Sequence, residues 1–274
     1  GKAKSPVYIN VSDDKIEILP AKELWGKLSE EVDEKLKVAH PGCSVLNIGP
    51  SGEQGSLLAA IINDKDRAAG RSGVGAVMGS KNLKAISVTA SKSVKEPFDA
   101  AALKEIMTKS TKMLREHPVT SAGLPTYGTA VLVNIVNGIG SFPVNNWQGS
   151  AFDKAEDISG EAMKEKILVK NYACHRCPIA CGRVVKIEGL EGNHGGPEYE
   201  PLWAFGADCG CSDLNAIAMA NHLCNEYGLD AIGAPTTIAT AMELYQRGYI
   251  KDAECDGMPL KFGDAKAIVE WTRR

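Results

Sequence analysis

The pattern of apolar and polar residues at the start of the chain is that of a sheet. Val7, Ile9 and Val11 alternate with polar neighbours, and residues 15–19 alternate again after Asp13 and Asp14. Two alternating runs separated by a turn predict a β-hairpin. Compact apolar runs at 43–48 and 84–89 predict two further strands, and a helix is expected from Ser29 to about Val38, with Ser29 as its N-cap.

The pattern changes to a helical period in the rest of the chain, and Glu96-Pro97 marks the predicted boundary. Helices are predicted at about 99–115, 159–169, 212–227, 235–246 and from 264 onward, with Asp99, Ser159 and Ser212 as N-caps and Gly228 as a stop. We therefore predict an α+β protein with a strand-rich first domain, residues 1–95, and a mostly helical second domain, residues 96–274.

One long stretch, residues 118–150, lacks a clear period. It is rich in Gly and Asn and carries aromatic residues such as Tyr127 and Trp147. Such a segment between helices is typical either of a loop shaped around a ligand or of an ordinary surface loop.

Composition narrows the possible functions. The 274 residues are 44% hydrophobic and 24% charged with a net charge of −3, which allows a sizeable core and shows no basic patch for nucleic acid and no polybasic run for a membrane surface. No uninterrupted apolar run reaches transmembrane length, and the first residues lack the apolar core of a signal peptide, so we expect a cytoplasmic protein. The chain does not begin with Met, and we expect a fragment or a processed chain.

The strongest chemical signal is a group of three cysteines within eight residues. Cys174, Cys177 and Cys181 have C-x2-C-x3-C spacing. Thiolates this close in sequence can bind one thiophilic iron or zinc centre, which needs a fourth ligand from elsewhere. No second C-x2-C or H-x3-H pair follows, so the spacing favours an iron–sulfur cluster over a zinc finger. The alternative is three buried structural cysteines.

A glycine-rich stretch at residues 69–86 contains four glycines in ten residues together with Arg71. Glycine lets backbone N–H groups approach an anion, and an arginine fork can bind a phosphate. The stretch matches neither a Walker loop nor a strict G-x-G-x-x-G pattern. An anion-binding loop and a packing turn are both compatible with it.

A second glycine-rich turn, residues 195–200, carries Glu198 and Glu200 on either side of Tyr199. A carboxyl group enclosed by apolar residues has a raised pKa and can exchange protons. Two solvated glutamates are the ordinary alternative.

Taken together, these motifs resemble the aldehyde:ferredoxin oxidoreductase family of tungsten-pterin enzymes. The motifs occur in family order: GPSGE at 49–53, GRSGVGAVMGSKNLKAI at 70–86, the cysteine run at 174–181, GPEYE at 196–200 and GLD at 228–230. The resemblance covers nearly the whole chain.

The resemblance implies roles for individual residues. Arg71, Ser72 and Gly73 would contact a pterin, and the segment containing Asn225, Leu229 and Asp230 would hold the second pterin. Three ligands of a [4Fe-4S] cluster would be Cys174, Cys177 and Cys181. Glu200, or else Glu198, would lie beside a tungsten or molybdenum bis-pterin centre and activate water or relay a proton.

The activity implied by the resemblance is oxidation of an aldehyde with water to a carboxylic acid, with electrons passing through the cluster to ferredoxin. The alternatives are an aromatic acyl-CoA ring reductase of the same family and a non-catalytic Fe-S or zinc-binding module. The expected partners are a small aldehyde and a ferredoxin-like carrier, with a possible homo-oligomer and no nucleic acid or membrane.

Two departures from the family pattern matter. Asn225 stands where the family usually has Asp, which replaces a charge-assisted pterin contact by a neutral one. The family's opening segment and last portion, including the fourth cluster cysteine, are not recognisable. The remaining candidates for a fourth ligand are Cys209, Cys211, Cys224 and Cys255, and the family pattern gives no reason to choose among them, although Cys209 and Cys211 are more readily explained as packing residues. We expect an internal fragment that by itself binds cofactor poorly and oxidises no aldehyde.

Overall fold

The computed structural model describes residues 1–91 and 97–274 and has an α+β fold. The predicted boundary at residues 95 and 96 lies outside the described residues. The chain forms two compact units: unit 1 comprises Gly1–Lys92, Met219–Lys261 and Lys266–Arg274, and unit 2 comprises Ser93–Ala218 and Phe262–Ala265. Most of the last 56 residues, which the sequence division assigned to the second domain, therefore group with unit 1.

The strands and helices follow one another in a mixed order. The strands are β1 Val7–Ser12, β2 Lys15–Pro20, β3 Ser44–Asn47, β4 Ile61–Asn63, β5 Arg67–Ala69, β6 Leu83–Val88, β7 Leu168–Tyr172, β8 Gly182–Val185 and β9 His194–Gly195. The helices are α1 Ser29–Ala39, α2 Pro50–Glu53, α3 Val74–Ser80, α4 Ala100–Glu116, α5 Leu124–Tyr127, α6 Leu132–Gly138, α7 Gly160–Lys166, α8 Tyr199–Pro201, α9 Leu214–Tyr227, α10 Gly233–Gln246 and α11 Ala265–Arg273.

Unit 1 is built on a six-stranded sheet in the order β2-β1-β6-β3-β4-β5. β1 and β6 are parallel, and the other neighbouring strands are antiparallel. The predicted β1–β2 hairpin is present in full register, from Val7 opposite Pro20 to Ser12 opposite Lys15. One core cluster consists of buried residues from α1, the strands and their connections: Ala21, Leu24, Val32, Leu36, Cys43, Val45 and Ala85.

A buried ion pair fixes α2 against β6 in unit 1. The Lys84 ammonium donates hydrogen bonds to the Ile48 carbonyl at 2.7 Å, to the Lys27 carbonyl at 2.9 Å and to the Glu53 carboxylate at 2.5 Å. Burial lowers the pKa of Lys84, and the Glu53 carboxylate opposes that effect. Glu53 also accepts the Gly26 N–H at 2.8 Å, so every polar end of this group is paired.

Two of the four predicted helix caps are confirmed. Asp99 accepts the Ala102 N–H at 2.9 Å, and Ser159 accepts the Ala162 N–H at 3.1 Å. Ser29 is not a cap, because it is the first residue of α1 and the N-cap is Leu28. In place of Ser212, the Asp213 carboxylate accepts the Ala216 N–H at the start of α9.

Residues 119–138 in unit 2 are helical, although the sequence suggested an irregular loop. A π-helical turn at Val119–Gly123 leads into α5, a 3₁₀ turn at Gly128–Val131 and α6. Helical segments joined without an intervening strand give no single period, which explains the unclear pattern.

The same stretch, Val119–Gly138, is long and apolar enough by length and composition to cross a membrane, with a mean hydropathy of 1.2. These two criteria are a weak indication, because helices of water-soluble proteins also satisfy them. No further helix in the described residues does so.

A three-stranded antiparallel sheet, β7-β8-β9, carries the central part of unit 2. The cysteine run connects β7 to β8, and the glutamate-bearing turn follows β9. α8 continues into a π-helical segment, Leu202–Ala207, whose residues are mostly buried. The sheet thus positions both chemically informative segments of this unit.

Candidate functional site

Two segments separated by about 160 residues in sequence meet in unit 1. Arg71 follows β5, and Asp230 follows α9. The Arg71 Nε atom lies 3.7 Å from the Asp230 Oδ2 atom. The Arg71 side chain is 64% exposed, whereas the Asp230 side chain is 7% exposed. The pair therefore presents a largely solvated guanidinium above a buried carboxylate, and its own contribution to stability is small.

The backbone around Asp230 is fixed by hydrogen bonds. The Asp230 N–H donates to the Leu58 carbonyl at 2.8 Å, and the Ile232 N–H donates to the Asp230 Oδ1 atom at 2.9 Å. Only one carboxylate oxygen is thereby committed to the backbone, and the other faces Arg71. A carboxylate held in this way can accept a hydrogen bond from a ligand with little loss of side-chain entropy.

The turn at 228–229 is bonded to the segment before β4. The Gly228 carbonyl accepts the Ala60 N–H at 2.7 Å and the Ser51 hydroxyl at 2.7 Å, and Leu229 forms a β-bridge with Ala59. Ser51 belongs to the GPSGE motif, so this motif supports the GLD turn. The predicted stop at Gly228 is confirmed, because its φ is +70°.

Asn225 lies on the last turn of α9 and is half-buried, as is Leu229. The Asn225 carbonyl accepts the Gly228 N–H at 3.3 Å. The structure therefore brings Arg71, Leu229 and Asp230 into one region of unit 1, with Asn225 one helical turn away.

The glycine-rich stretch combines the two interpretations that the sequence allowed. A Cβ at Gly75 would lie 2.4 Å from the Ala60 carbonyl oxygen, and one at Gly73 would lie 2.8 Å from the Leu57 oxygen, so these glycines permit close backbone packing. A Cβ at Gly70 would meet nothing within 4 Å. Ser72 is exposed, with φ +75°. The open face formed by residues 70–72 with the Arg71 fork suits an anionic phosphate group.

The cysteine loop of unit 2 is accessible from solvent. Cys174 is exposed, Cys177 and Cys181 are half-buried, and the Cys177 N–H donates to the Cys174 carbonyl at 2.9 Å. Arg176 and Ala180 both have φ +56°. Left-handed non-glycine residues cost about 1–2 kcal/mol each, so the surrounding structure must stabilise the loop. No disulfide is present in the part of the chain that the structure describes.

The loop offers three cysteine thiols to a metal centre, one exposed and two half-buried, which suits either a [4Fe-4S] cluster or a zinc ion that takes its fourth ligand from elsewhere.

The other cysteines of the chain are buried, in agreement with a packing role for Cys209 and Cys211. Burial raises the pKa of the Cys211 thiol to about 11, and it also raises the pKa values of Cys209 and Cys224. These groups remain thiols near neutral pH.

Glu198 is bonded to the segment after α5. The Thr129 hydroxyl donates to the Glu198 Oε2 atom at 2.5 Å and accepts the Tyr199 N–H at 2.9 Å. Burial, followed by the charge of Glu200, raises the pKa of Tyr199. The centroids of the Tyr199 and Phe142 rings lie 6.3 Å apart. Glu198 is therefore a held, half-buried carboxylate.

Glu200 is exposed and accepts the Trp203 indole N–H at 2.5 Å. The Trp203 ring contacts the Trp147 ring edge-on, with centroids 6.2 Å apart. The Glu200 carboxylate is exposed and contacts the Trp203 indole, so the apolar enclosure considered from the sequence is not formed among the described residues.

Sequence reasoning missed two buried charged residues of unit 2. Asp208 is fully buried, and neither of its carboxylate oxygens has a hydrogen bond of good geometry among the described residues. Burial raises the pKa of Asp208 to about 6, and the backbone N–H groups of Trp147 and Asn146 only partly offset this effect. Arg183 is 2% exposed. Burial lowers its pKa, opposed by the negative charges of Glu198 and Cys181. The sequence signal available for Arg183 was its position two residues after Cys181, which is a predicted metal ligand.

Comparisons with known proteins match both parts of the chain. Residues 1–90 match the family profile described as "Aldehyde ferredoxin oxidoreductase, N-terminal domain", and residues 105–274 match "Aldehyde ferredoxin oxidoreductase, domains 2 & 3". The chain is 48% identical to a tungsten-containing aldehyde ferredoxin oxidoreductase of Pyrococcus furiosus over 98% of its own length and 44% of the relative's. A Pyrococcus horikoshii protein of the same description is 47% identical over 100% of this chain and 46% of the relative.

A solved structure is also similar: the active site complex BamBC of benzoyl coenzyme A reductase with 1,5-dienoyl-CoA. The TM-score is 0.79 at 27% identity, covering 99% of this chain and 42% of the other. The chain thus spans less than half the length of the relatives that it matches.

Proposed function

This chain belongs to the aldehyde ferredoxin oxidoreductase family, and from that premise we propose that the native protein oxidises an aldehyde with water to a carboxylic acid. The electrons pass through a [4Fe-4S] cluster to ferredoxin. A tungsten or molybdenum bis-pterin centre would supply the two-electron chemistry, and the cluster would supply one-electron transfer.

The observation that carries the proposal is the meeting of Arg71 and Asp230 in unit 1. The exposed guanidinium is suited to a pterin phosphate, with Ser72 and Gly73 beside it. The buried carboxylate can accept hydrogen bonds from pterin ring nitrogens. Gly228 and Leu229, bonded to Ala60 and Ala59, hold the second segment in place.

In unit 2, each predicted residue has a separate task. Cys174, Cys177 and Cys181 provide three cluster ligands. Glu200 is open to solvent and oriented by the Trp203 indole N–H, so it can take a proton from water. Glu198, held by Thr129, is the less suitable base because it is half-buried and therefore less open to water than Glu200.

Metal and activity measurements test the proposal together. We expect the native protein, grown with tungstate or molybdate and purified without oxygen, to contain one of these metals and four irons per chain. It should reduce benzyl viologen when an aldehyde is added. One equivalent of zinc, without iron or activity, would instead support the metal-binding module.

Variants separate cofactor binding from chemistry. Arg71→Gln should lower pterin content, measured by fluorescence of the oxidised pterin. Arg247→Gln is the matched control, because Arg247 is an exposed arginine of unit 1 that pairs with Glu243 on its own helix. Glu200→Gln should retain pterin and metal and lower kcat about 10²- to 10⁴-fold. Equal pterin content in both arginine variants would contradict the assignment of Arg71.

The second candidate is reduction of an aromatic acyl-CoA ring, favoured by the similarity to the benzoyl coenzyme A reductase complex. The higher identity to the aldehyde enzymes, 48% against 27%, makes it the alternative. Incubation with a 1,5-dienoyl-CoA and an electron acceptor tests this second function. Oxidation of that compound without aldehyde turnover would favour the acyl-CoA reaction over aldehyde oxidation.

The proposal also includes a ferredoxin-like electron acceptor, assembly into a homo-oligomer and a cytoplasmic location, with no nucleic-acid or membrane partner. The net charge of −3 and the absence of a basic run in the sequence support the last point.

A further inference from the structure

Arg183 occupies an unusual position at the base of the cysteine loop. It is two residues after Cys181 and is almost completely buried. Its guanidinium lies within hydrogen-bond distance of six acceptors, which its five N–H groups serve by sharing one of them: the carbonyl oxygens of Cys181 (3.1 Å), Thr126 (3.1 Å), Leu124 (2.9 Å), Pro125 (2.9 Å) and Ala180 (3.3 Å) and the Asn171 Oδ1 atom (2.8 Å). Every acceptor is a neutral oxygen.

These bonds connect the loop to a second segment. The carbonyls of Ala180 and Cys181 belong to the cysteine loop, and the other three carbonyls belong to residues 124–126. Asn171 strengthens the connection, because its Nδ2 atom donates to the Pro125 carbonyl at 2.6 Å. Planar geometry with five donors allows arginine to serve both segments at once, which the ammonium of lysine does not.

Gly128 shows that the space around the guanidinium is closely fitted. Its φ is +64°, and a Cβ there would lie 2.9 Å from both the Arg183 Nε atom and the Cys181 carbonyl oxygen. The chain therefore passes the guanidinium at a point where a side chain does not fit.

The hydrogen bonds act where the loop is strained. Ala180 has a left-handed backbone, and its carbonyl is one of the acceptors. A charge-assisted hydrogen bond to this carbonyl helps to stabilise a backbone conformation that is otherwise unfavourable.

The charge of Arg183 has no direct ion pair among the described residues, although the negative charge of Glu198 acts on it. In the described residues, no carboxylate lies within 4 Å of its guanidinium, and the Glu198 Oε2 atom accepts the Thr129 hydroxyl instead. A buried positive charge therefore remains next to Cys181. In a medium of low dielectric constant, such a charge acts strongly on a neighbouring group that changes charge.

We propose that Arg183 is the positioning residue of the cysteine loop and that its buried charge makes the cluster easier to reduce. The inference rests on the proposed cluster at Cys174, Cys177 and Cys181. Aldehyde oxidation, as proposed above, releases two electrons, and the cluster accepts them one at a time. Each electron adds one negative charge, which the guanidinium stabilises.

Two variants of the native protein, purified without oxygen, separate the hydrogen-bonding geometry of Arg183 from its charge. Arg183→Gln removes both the guanidinium fork and the positive charge. We expect fewer irons per chain and, in the clusters that remain, a reduction equilibrium constant at least ten-fold lower, which is 59 mV for a one-electron couple. Arg183→Lys keeps the charge and loses the fork. We expect its midpoint potential to remain near wild type while an iron chelator removes the cluster at least five-fold faster.

Lys170→Gln is the matched control, because Lys170 is an exposed cation four residues before Cys174. It should leave iron content, chelation rate and potential unchanged. Iron and sulfide analysis, chelation kinetics and an EPR-monitored redox titration are the readouts. If Arg183→Gln does not fold, Arg183→Lys decides through its chelation rate.

The proposal is overturned if Arg183→Lys loses its cluster no faster than wild type, or if Arg183→Gln has the potential of Lys170→Gln. Wild-type protein without iron would instead contradict the proposed cluster itself, so the two failures are distinguishable.

Discussion

Replacing Asp208 by Asn should stabilise the protein at neutral and alkaline pH. Asp208 is fully buried, and neither of its carboxylate oxygens has a hydrogen bond of good geometry in the described residues. Its pKa is raised to about 6 from an ordinary 3.8 because burial disfavours the charged form. Asn has nearly the same shape and carries no charge.

The size of the effect follows from the pKa. A difference of about two pH units, at 1.36 kcal/mol per unit, corresponds to about 3 kcal/mol. Between pH 3.8 and pH 6 the folded protein binds more protons at Asp208 than the unfolded chain does. The contribution of Asp208 to stability is therefore complete below pH 3.8 and is lost as the pH rises through 6. The advantage of Asp208→Asn should be near zero at pH 3.5 and about 3 kcal/mol at pH 8.

Urea unfolding followed by tryptophan fluorescence measures this difference, because Trp147 and Trp203 contact each other in unit 2. Asp153→Asn, at an exposed carboxylate of the same unit, is the control and should change stability by no more than about 0.5 kcal/mol at either pH. A variant Asp208→Asn that is less stable than wild type at pH 8, or whose effect does not depend on pH, would refute the reasoning.

Three further substitutions test unit 1 by the same unfolding measurement. Lys84→Met removes one partner of a buried ion pair with Glu53 and should cost about 3–5 kcal/mol, whereas a loss below 1 kcal/mol would contradict the pairing. Gly75→Ala places a Cβ 2.4 Å from the Ala60 oxygen and should cost about 1–3 kcal/mol, which an unchanged midpoint would disprove. Burial raises the pKa of Glu226 to about 7. Glu226→Gln should therefore increase the free energy of unfolding by about 3 kcal/mol at pH 8.5 and leave it unchanged at pH 4. A larger gain at pH 4 than at pH 8.5 would exclude burial of the charged carboxylate as the cause.

The sequence predicts elements well where one local interaction decides the structure. The β1–β2 hairpin follows from alternation and a two-Asp turn, and Gly228 ends α9 because glycine readily adopts a positive φ. Asp99 and Ser159 are caps because each side chain accepts an N–H from the first turn of the helix that follows it.

Prediction fails where adjacent residues offer equivalent chemistry. Asp213 caps α9 one residue beyond the expected Ser212, since both side chains can accept the same kind of hydrogen bond. The helical character of residues 119–138 was missed because the stretch changes from a π turn to α and 3₁₀ turns, and each type has a different period.

The residues of the candidate site show the same difference between features that a local motif indicates and features that depend on distant contacts. The spacing of the three cysteines made them candidates directly, whereas Arg71 and Asp230 became candidates through the family resemblance, and all five assignments stay predictions. The burial of Arg183 and Asp208 could not be predicted, since it involves contacts with residues 57 to 62 positions earlier in the chain. A charged residue carries no local mark that distinguishes burial from exposure.

These distant contacts explain how unit 2 can position two chemical groups with one short segment. The carbonyls of residues 124–126 accept hydrogen bonds from Arg183, which holds the cysteine loop, and Thr129 holds Glu198 and Tyr199. Gly128 lies between these contacts at a position without room for a side chain. A shift of this segment would therefore move the ligand loop and the carboxylate turn together, so that neither can be changed independently of the other.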